Sequence, residues 1–248
     1  MSNLETLNLD FGEEVNYAIR VPVVVLADVS GSMVNLMGNL NQALNGFLTS
    51  LKNDSVASKS AELCVIAFDH NANVVLDFET ACNINHMPEL MANGATFTGK
   101  ALRLGLELCA SRKSYYQNEG YDYYQPWLVL MTDGQPSALE DALLEQNGLK
   151  DNPMINQERS DIEATRMQLH ELITDKKLNL INIAIGDDAD LTYLKSLHPA
   201  NRAFKMTAET DFAKFFDWLG KSVKAKSKSQ KGDAVKTEPL SEAGLDIC

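Results

Sequence analysis

The run Val21–Ala27 (VPVVVLA) constrains the fold of this chain more than any other segment. It is continuously apolar and rich in β-branched residues, which is typical of a strand covered on both faces in a parallel sheet. After a short SGSM turn, apolar residues recur at helical spacing, namely Leu36, Leu40, Leu44, Phe47, Leu48 and Leu51. The segment therefore predicts a central first strand, followed by a helix whose apolar face packs on the sheet.

Strand and helix patterns alternate along the rest of the chain. Further strands are predicted at residues 63–68, 74–78, 127–131, 178–185 and 203–206, and further helices at 99–112, 191–197 and 212–219. Only the short DHNAN stretch separates the second and third strands, so they are expected to pair as an antiparallel hairpin with the third strand at an edge. The pattern predicts an α/β fold with a doubly wound, mostly parallel central sheet, one antiparallel edge strand and helices on both faces.

Two capping-box patterns lie in the second half of the chain. Ser137 with Glu140, and Ser160 with Glu163, match S-x-x-E, in which both side chains satisfy free N–H groups at a helix start. Two helices are therefore expected between Asp133 and the strand that begins near residue 178.

The composition predicts one folded domain with two polar ends. The 248 residues are 45% hydrophobic, enough for a sizeable core in one α/β domain. Residues 1–16 are interpreted as an N-terminal arm, residues 17–220 as the domain, and residues 221–248 as a flexible tail rich in Lys and Ser.

Charge and cysteine content exclude several classes of protein. A formal net charge of −12 argues against a nucleic-acid binder, and no apolar run is long enough to span a membrane. The start of the chain does not resemble a signal peptide. Four cysteines without CxxC spacing favour buried thiols such as Cys64 and Cys109, which fits the cytoplasm better than an oxidising compartment.

Polar side chains follow two of the predicted strands. Asp28, Ser30 and Ser32 come directly after the first strand, and Asp133 follows the strand WLVLM. The carboxyl ends of parallel strands meet at one edge of a sheet, where ligand sites of open α/β sheets lie. Carboxylate and hydroxyl oxygens are ligands that Mg²⁺ accepts, so these residues predict a divalent-cation site.

Three separated motifs resemble one known family. DVSGS after an apolar strand, GATFTGKAL at a helix start and MTDGQPS after another strand resemble, in this order, the metal-ion-dependent adhesion site of von Willebrand factor A domains. The resemblance covers roughly residues 17–220. The stretch from RKSYYQ to MTDGQPS looks similar to an intracellular bacterial branch that includes tellurium-resistance-associated members.

The resemblance implies a set of metal ligands and a function. Asp28, Ser30, Ser32, Thr96 and Asp133 match the five ligand positions, with Thr98 as the alternative to Thr96 because Gly94-Ala95-Thr96 replaces the usual G-G-T. The metal is expected to be Mg²⁺, with Mn²⁺ or Ca²⁺ as alternatives. The family pattern implies that a partner protein supplies an Asp or Glu to the metal, as in a non-enzymatic adaptor of a bacterial stress-response or phosphorylation-linked complex.

Two catalytic readings compete with this interpretation. Gly94 to Lys100 matches G-x-x-x-x-G-K of phosphate-binding loops, but Ala101 replaces the Ser or Thr and no apolar strand precedes it. The D-x-S-x-S motif is also similar to that of haloacid-dehalogenase phosphatases, which have a second aspartate at the position of Ser30. A Mg²⁺-dependent phosphohydrolase remains the alternative function, although no nucleophile and general base can be named.

Several other features have no assigned function. The four histidines, His70, His86, His170 and His198, are scattered and are not expected to bind metal. The tyrosines Tyr115, Tyr116, Tyr121, Tyr123 and Tyr124 form either an interaction surface or internal packing. The long connection at residues 135–159 either overhangs the site or is a simple insertion. Asp187 and Asp188 either border the site or cap a helix.

Overall fold

A computed structural model describes residues 19–187, 189–206, 211–229 and 246–247. Its strands are β1 (Val21–Asp28), β2 (Ala61–Phe68), β3 (Ala72–Thr80), β4 (Trp127–Thr132), β5 (Asn179–Ile185), β6 (Phe204–Met206) and β7 (Asp246–Ile247). Its α-helices are α1 (Met37–Lys52), α2 (Ala57–Ser60), α3 (Thr98–Glu119), α4 (Asp141–Gln146), α5 (Pro153–Thr174), α6 (Leu191–Ser196) and α7 (Asp211–Ser227). Short 3₁₀ helices cover Gly31–Asn35 and Ser137–Leu139.

The strands form one seven-stranded sheet in the order β3-β2-β1-β4-β5-β6-β7. Strands β1, β2, β4, β5 and β6 run parallel, and β3 is antiparallel to β2 at one edge. This arrangement confirms the predicted doubly wound, mostly parallel sheet with an antiparallel edge hairpin. The two-residue strand β7 pairs antiparallel with β6 at the other edge, which the sequence did not indicate.

Alternating side chains of the central strands enter two separate cores. Val23 and Val25 of β1 pack into the core beneath α1 and α7, whereas Val24 and Leu26 pack into the core beneath α3, α5 and α6. All eight residues of β1 are buried, as expected for a strand covered on both faces. Cys64 and Cys109 are buried free thiols in the second core, as predicted.

Ordered helical structure extends beyond the C-terminal boundary predicted at residue 220. Helix α7 continues to Ser227, and Val223 is fully buried against the first core. Beyond it, Lys228 forms an ion pair with Asp54, and the Tyr124 hydroxyl donates to the Ser229 carbonyl oxygen at 2.7 Å. The last turns of α7 are rich in lysine and contribute few apolar side chains, so their sequence is similar to that of a solvated tail. The predicted arm at residues 1–16 and most of the predicted tail lie outside the described residues.

Both predicted capping boxes are wrong, although two helices do lie between β4 and β5. Ser160 lies inside α5, which begins at Pro153 after Asn152, and the Asn152 side chain accepts a hydrogen bond from the Met154 N–H. Ser137 instead bonds to the loop that carries Thr96. None of the helices in the described ranges is long and apolar enough to cross a membrane.

Candidate metal centre at the carboxyl ends of the strands

The site lies where the chain connections leave the sheet in opposite directions. Strand β1 pairs with β2 on one side and with β4 on the other, so the loops that follow β1 and β4 diverge and leave a crevice. The register places Ala27 beside Met131, and therefore the ends of β1 and β4 coincide. Asp28 ends β1, and Asp133 directly follows β4.

Asp28 forms the floor of this crevice. Its side chain is fully buried, with Oδ1 accepting from the Ser30 N–H at 2.7 Å and Oδ2 accepting from the Thr132 hydroxyl at 2.5 Å. Burial raises the pKa of Asp28 to about 6, and the nearby charge of Asp133 acts in the same direction. A cation bound beside a buried carboxylate with few hydrogen-bond donors favours the charged form of that carboxylate.

The two serines connect Asp28 to the end of the neighbouring strand. The Ser30 and Ser32 hydroxyl oxygens lie 3.1 Å apart, and the Ser32 hydroxyl donates to Asp133 Oδ1 at 2.9 Å. Ser30 is buried and Ser32 is exposed, so the row of oxygens runs from the protein interior to the solvent. Gly31 between them donates its N–H to the Gly94 carbonyl oxygen at 3.0 Å.

That backbone bond brings in the loop that carries Thr96. Asn93 N–H donates to the Val29 carbonyl oxygen at 2.6 Å, so two hydrogen bonds join this loop to the DVSGS turn. Gly94 has φ of 79°, and a Cβ there would lie 2.6 Å from His70 Nδ1, so a side chain is excluded at this turn.

Thr96, and not Thr98, faces the site. Thr96 lines the cleft, and a Cβ built on Gly134 would lie 3.5 Å from its Oγ1, so its hydroxyl lies beside the turn of Asp133. Thr98 is fully buried elsewhere and shares a 2.7 Å hydrogen bond with the Tyr193 hydroxyl. The five positions taken from the resemblance therefore meet at one point of the fold.

Two residues that support the site were not assigned to it from the sequence. Thr132 is the hydroxyl donor that holds Asp28, and its position beside Asp133 at the end of a strand was the available signal. Ser137 accepts from the Thr96 N–H at 3.1 Å, and its own N–H donates to the Thr96 carbonyl oxygen at 3.0 Å. Ser137 therefore fixes the position of Thr96.

The cleft above these residues has a volume of approximately 690 Å³. Gln135, Glu140 and Leu143, from the long connection at residues 135–159, line it together with Asp187. Asp187 also pairs with Lys205, which lowers the pKa of its carboxyl group. Asp188 lies outside the described residues. The connection thus forms a wall of the cleft.

The oxygen donors suit a hard divalent cation. Two carboxylates and three hydroxyls surround the opening, and such ligands match Mg²⁺, which keeps several waters and binds through one or two carboxylates. No group of three or more His, Cys, Asp or Glu residues that could hold a metal occurs in the described parts of the chain. A site of this kind would therefore rely on the hydroxyl groups.

The sequence that resembles a phosphate-binding loop has another structural role. The N–H groups of Gly99 and Lys100 at the start of α3 donate to the Glu158 carboxylate at 2.6 and 2.9 Å. Burial raises the pKa of Glu158 to about 7. A carboxylate from α5 thus takes the position that an anion would occupy at this helix start.

The tyrosine cluster mainly packs the chain internally. Tyr116 is fully buried and donates its hydroxyl to Glu62, and Tyr124 is also buried. Arg20 lies over the Tyr121 ring at 4.6 Å, and Arg112 lies over the Tyr115 ring at 4.5 Å. Tyr115 is the most exposed large side chain of the group, at 42%.

Comparison with solved structures finds the same fold in several proteins. Proximal thread matrix protein 1 of the mussel byssus is 16% identical, with a TM-score of 0.52 over 83% of this chain and 48% of that protein. The vWF domain of the type V pili tip protein Mfa5 from Porphyromonas gingivalis is 12% identical, with a TM-score of 0.57 over 87% of this chain and 99% of that domain. The pilus adhesin SpaC from Lactobacillus rhamnosus GG, in its open conformation, is 14% identical, with a TM-score of 0.58 over 84% of this chain and 30% of the adhesin.

These likenesses concern the fold, because the identities are low. This chain spans about half the length of the byssus protein, a further structure of which has a zinc-occupied MIDAS motif, the metal-ion-dependent adhesion site. No match was found among curated proteins. The family model of the von Willebrand factor type A domain matches residues 23–218, which is most of the chain. The chain therefore belongs to the von Willebrand factor type A domain family.

Proposed function

We propose that this protein is a divalent-metal-dependent protein-interaction module and not an enzyme. The observation that carries the proposal is the continuous row of oxygens from buried Asp28 through Ser30 and Ser32 to Asp133. These side chains come from two neighbouring strand ends and have Thr96 beside them. Domains of this family typically mediate protein–protein interaction or adhesion.

Each of the five residues has a distinct part in the proposed site. Asp28 contributes a buried negative charge, Asp133 a second charge near the surface, and the three hydroxyls neutral oxygen ligands. Mg²⁺ is the proposed cation. When bound, it would supply a positive charge with an open coordination position, to which a partner's Asp or Glu carboxylate binds. Thr132 and Ser137 hold Asp28 and Thr96 in position.

The surroundings of the cleft favour a protein partner over a small anion. Val34, just after Ser32, is 62% exposed, and Leu143 on the cleft wall is 50% exposed. Leu143 lines the cleft, and Val34 belongs to the 3₁₀ helix that also carries Ser32. Exposed apolar side chains beside a ligand site are a feature of protein-interaction surfaces. We propose that a partner places its carboxylate in the cleft and apolar side chains against Val34 and Leu143.

Metal binding is the first measurement. Isothermal titration with Mg²⁺, and electron paramagnetic resonance counting of free Mn²⁺, should each find one site in the wild type. Ser32→Ala and Asp133→Asn should weaken binding about tenfold or more, because each removes a ligand at the surface of the site. Ser114→Ala and Asp217→Asn, on exposed helical surfaces, are matched controls that should bind like the wild type. Equal binding by all five proteins would contradict the proposed site.

Partner binding is the second measurement. Affinity capture from a native lysate should recover a protein whose retention needs Mg²⁺ and is lost with chelator, with Ser32→Ala and with Asp133→Asn. Replacement of that partner's contacting Asp or Glu by Asn or Gln should abolish the interaction. Retention of the same proteins by the wild type, the variants and the chelated sample would refute the metal bridge.

The cellular setting is proposed from the resemblance to the bacterial branch. We propose a cytoplasmic adaptor in a stress-response or phosphorylation-linked complex, which the free thiols of Cys64, Cys82 and Cys109 support. Metal-dependent phosphate release by the purified protein that is lost in Asp28→Asn would favour the alternative phosphohydrolase.

A further inference from the structure

A second cleft lies at the opposite end of the sheet from the candidate metal centre. It has a volume of approximately 360 Å³ and lies beside the amino-terminal ends of β4 and β5, where Trp127 and Asn179 begin these strands. We call it the tryptophan cleft because Trp127 and Trp218, the two tryptophans of the chain, both line it. Its size falls at the lower end of the range of small-molecule sites.

The walls of the tryptophan cleft are aromatic on one side. The Trp127 and Trp218 ring centroids are 6.2 Å apart with an interplanar angle of 33°, and Phe204 lines the same cleft. Flat rings at a cleft wall favour a planar aromatic ligand, since offset and tilted ring pairs attract each other.

The other side of the cleft is cationic. Lys176 and Arg202 line it, both are exposed, and neither forms an ion pair with a described residue. No carboxylate is found among the described residues that line the cleft. In a chain with a net charge of −12, two cations in a lining that contains no carboxylate favour an anionic ligand.

Arg202 is available to such a ligand. Its Nη2 lies 3.3 Å from His198 Nε2, but His198 Nδ1 already accepts from the Ala200 N–H at 3.0 Å. Burial lowers the pKa of His198, so the ring is neutral at pH 7 and carries its proton on Nε2. Nε2 then cannot accept a hydrogen bond from the guanidinium group.

A buried acceptor beside the cleft has no hydrogen-bond partner among the described residues. Of the β5 residues, only Ile183–Ile185 pair with β6, so the outer edge of residues 179–182 has no strand beside it within the described ranges. The Asn179 N–H donates to the β4 side of the strand, and the Gly186 N–H donates to β6. Backbone groups of successive residues in a strand point to opposite sides, so those of Leu180 point away from β4 and towards the cleft. Asn182 is 2% exposed, and its Oδ1 has no hydrogen-bond partner in the described structure.

We propose that the tryptophan cleft binds a small planar aromatic anion that carries a hydrogen-bond donor. The anionic group would bind Lys176 and Arg202, the ring would lie against Trp127 and Trp218, and the donor would reach the Asn182 or Leu180 oxygen. A buried oxygen without a partner is costly, so a donor on the ligand would add affinity there. This site does not depend on the proposed metal centre.

Intrinsic fluorescence provides a direct test, because both tryptophans report on this cleft. Titration of the full chain with 4-hydroxybenzoate should give a saturable change in emission that chelator does not alter. The uncharged 4-hydroxybenzamide, and benzoate without the hydroxyl donor, should bind about tenfold more weakly. Adenosine monophosphate is the phosphate-bearing probe, and tighter binding of it would identify the anionic group as a phosphate.

Charge-removing variants complete the test. Lys176→Gln and Arg202→Gln should each weaken binding of the anionic probe about tenfold, and both residues are exposed, so the fold is expected to remain intact. Lys177→Gln removes the same charge one residue away from the cleft lining and should leave binding unchanged. The proposal is overturned if neither anionic probe gives saturable binding, if the amide binds as well as the acid, or if Arg202→Gln binds like the wild type.

Discussion

Replacing Gly99 by Ala should destabilise the protein through a clash between two helices. A Cβ at this position would lie 2.6 Å from Ile162 N, 2.9 Å from the Glu158 carbonyl oxygen and 2.9 Å from Ile162 Cγ1. Two of these atoms belong to the α5 backbone, which cannot move without the rest of that helix. Ordinary carbon contacts are about 3.5–4 Å, so α3 and α5 would have to separate by roughly 1 Å.

The expected cost is about 1–3 kcal/mol of unfolding free energy, the usual effect of inserting a methyl group into a close-packed interior. The shift would also weaken the bonds from the Gly99 and Lys100 N–H groups to Glu158. Gly46 in α1 is the matched control, because a Cβ there meets no atom within 4 Å. Gly46→Ala should stabilise the protein by about 0.5–1 kcal/mol, since glycine is unfavourable inside a helix.

Urea unfolding followed by far-ultraviolet circular dichroism compares the wild type with both variants. The two substitutions should shift the midpoint in opposite directions. A Gly99→Ala protein that is as stable as the wild type, with Gly46→Ala behaving as expected, would refute the steric explanation for Gly99. The helix contact between α3 and α5 would then have to be looser than the structure shows.

Three further predictions concern the site and its support. Mg²⁺ at about 100 times the wild-type dissociation constant should raise the unfolding free energy of the wild type by about 2.7 kcal/mol. In thermal melts at the same concentration, Asp133→Asn, which binds at least about tenfold more weakly, should gain about 1.4 kcal/mol or less. Thr96→Val should weaken Mn²⁺ binding and leave the melting temperature nearly unchanged. Thr98→Val should retain Mn²⁺ binding but lose about 1 kcal/mol of stability, because it removes the hydrogen bond to Tyr193. The reverse pattern would make Thr98 the ligand. Tyr116→Phe should cost about 1–3 kcal/mol in urea unfolding, because buried Glu62 loses a hydroxyl donor, and a change below about 0.5 kcal/mol would contradict that role.

The local sequence pattern was sufficient to predict most strands and helices. A strand that is buried on both faces is recognisable because its residues are continuously apolar. The strands predicted at Val21–Ala27 and at residues 127–131 are observed at Val21–Asp28 and Trp127–Thr132, and both are buried throughout. The α3 prediction was too short, since the helix continues to Glu119 and ends at Gly120 with φ of 72°. Its last turns carry Tyr116, whose packing against Glu62 is a long-range contact that helical periodicity does not reveal.

The sequence by itself determined the chain order of β1 to β6 and of the helices other than α2, and the polar residues at the ends of β1 and β4. The tertiary structure decided which side chains those residues meet. Ser137 bonds to Thr96 and does not cap a helix, Thr98 bonds to Tyr193, and Glu158 takes the start of α3. The physical reason is that a hydroxyl or carboxylate can bond to many donors and acceptors, and the fold alone brings one distant partner within about 3 Å.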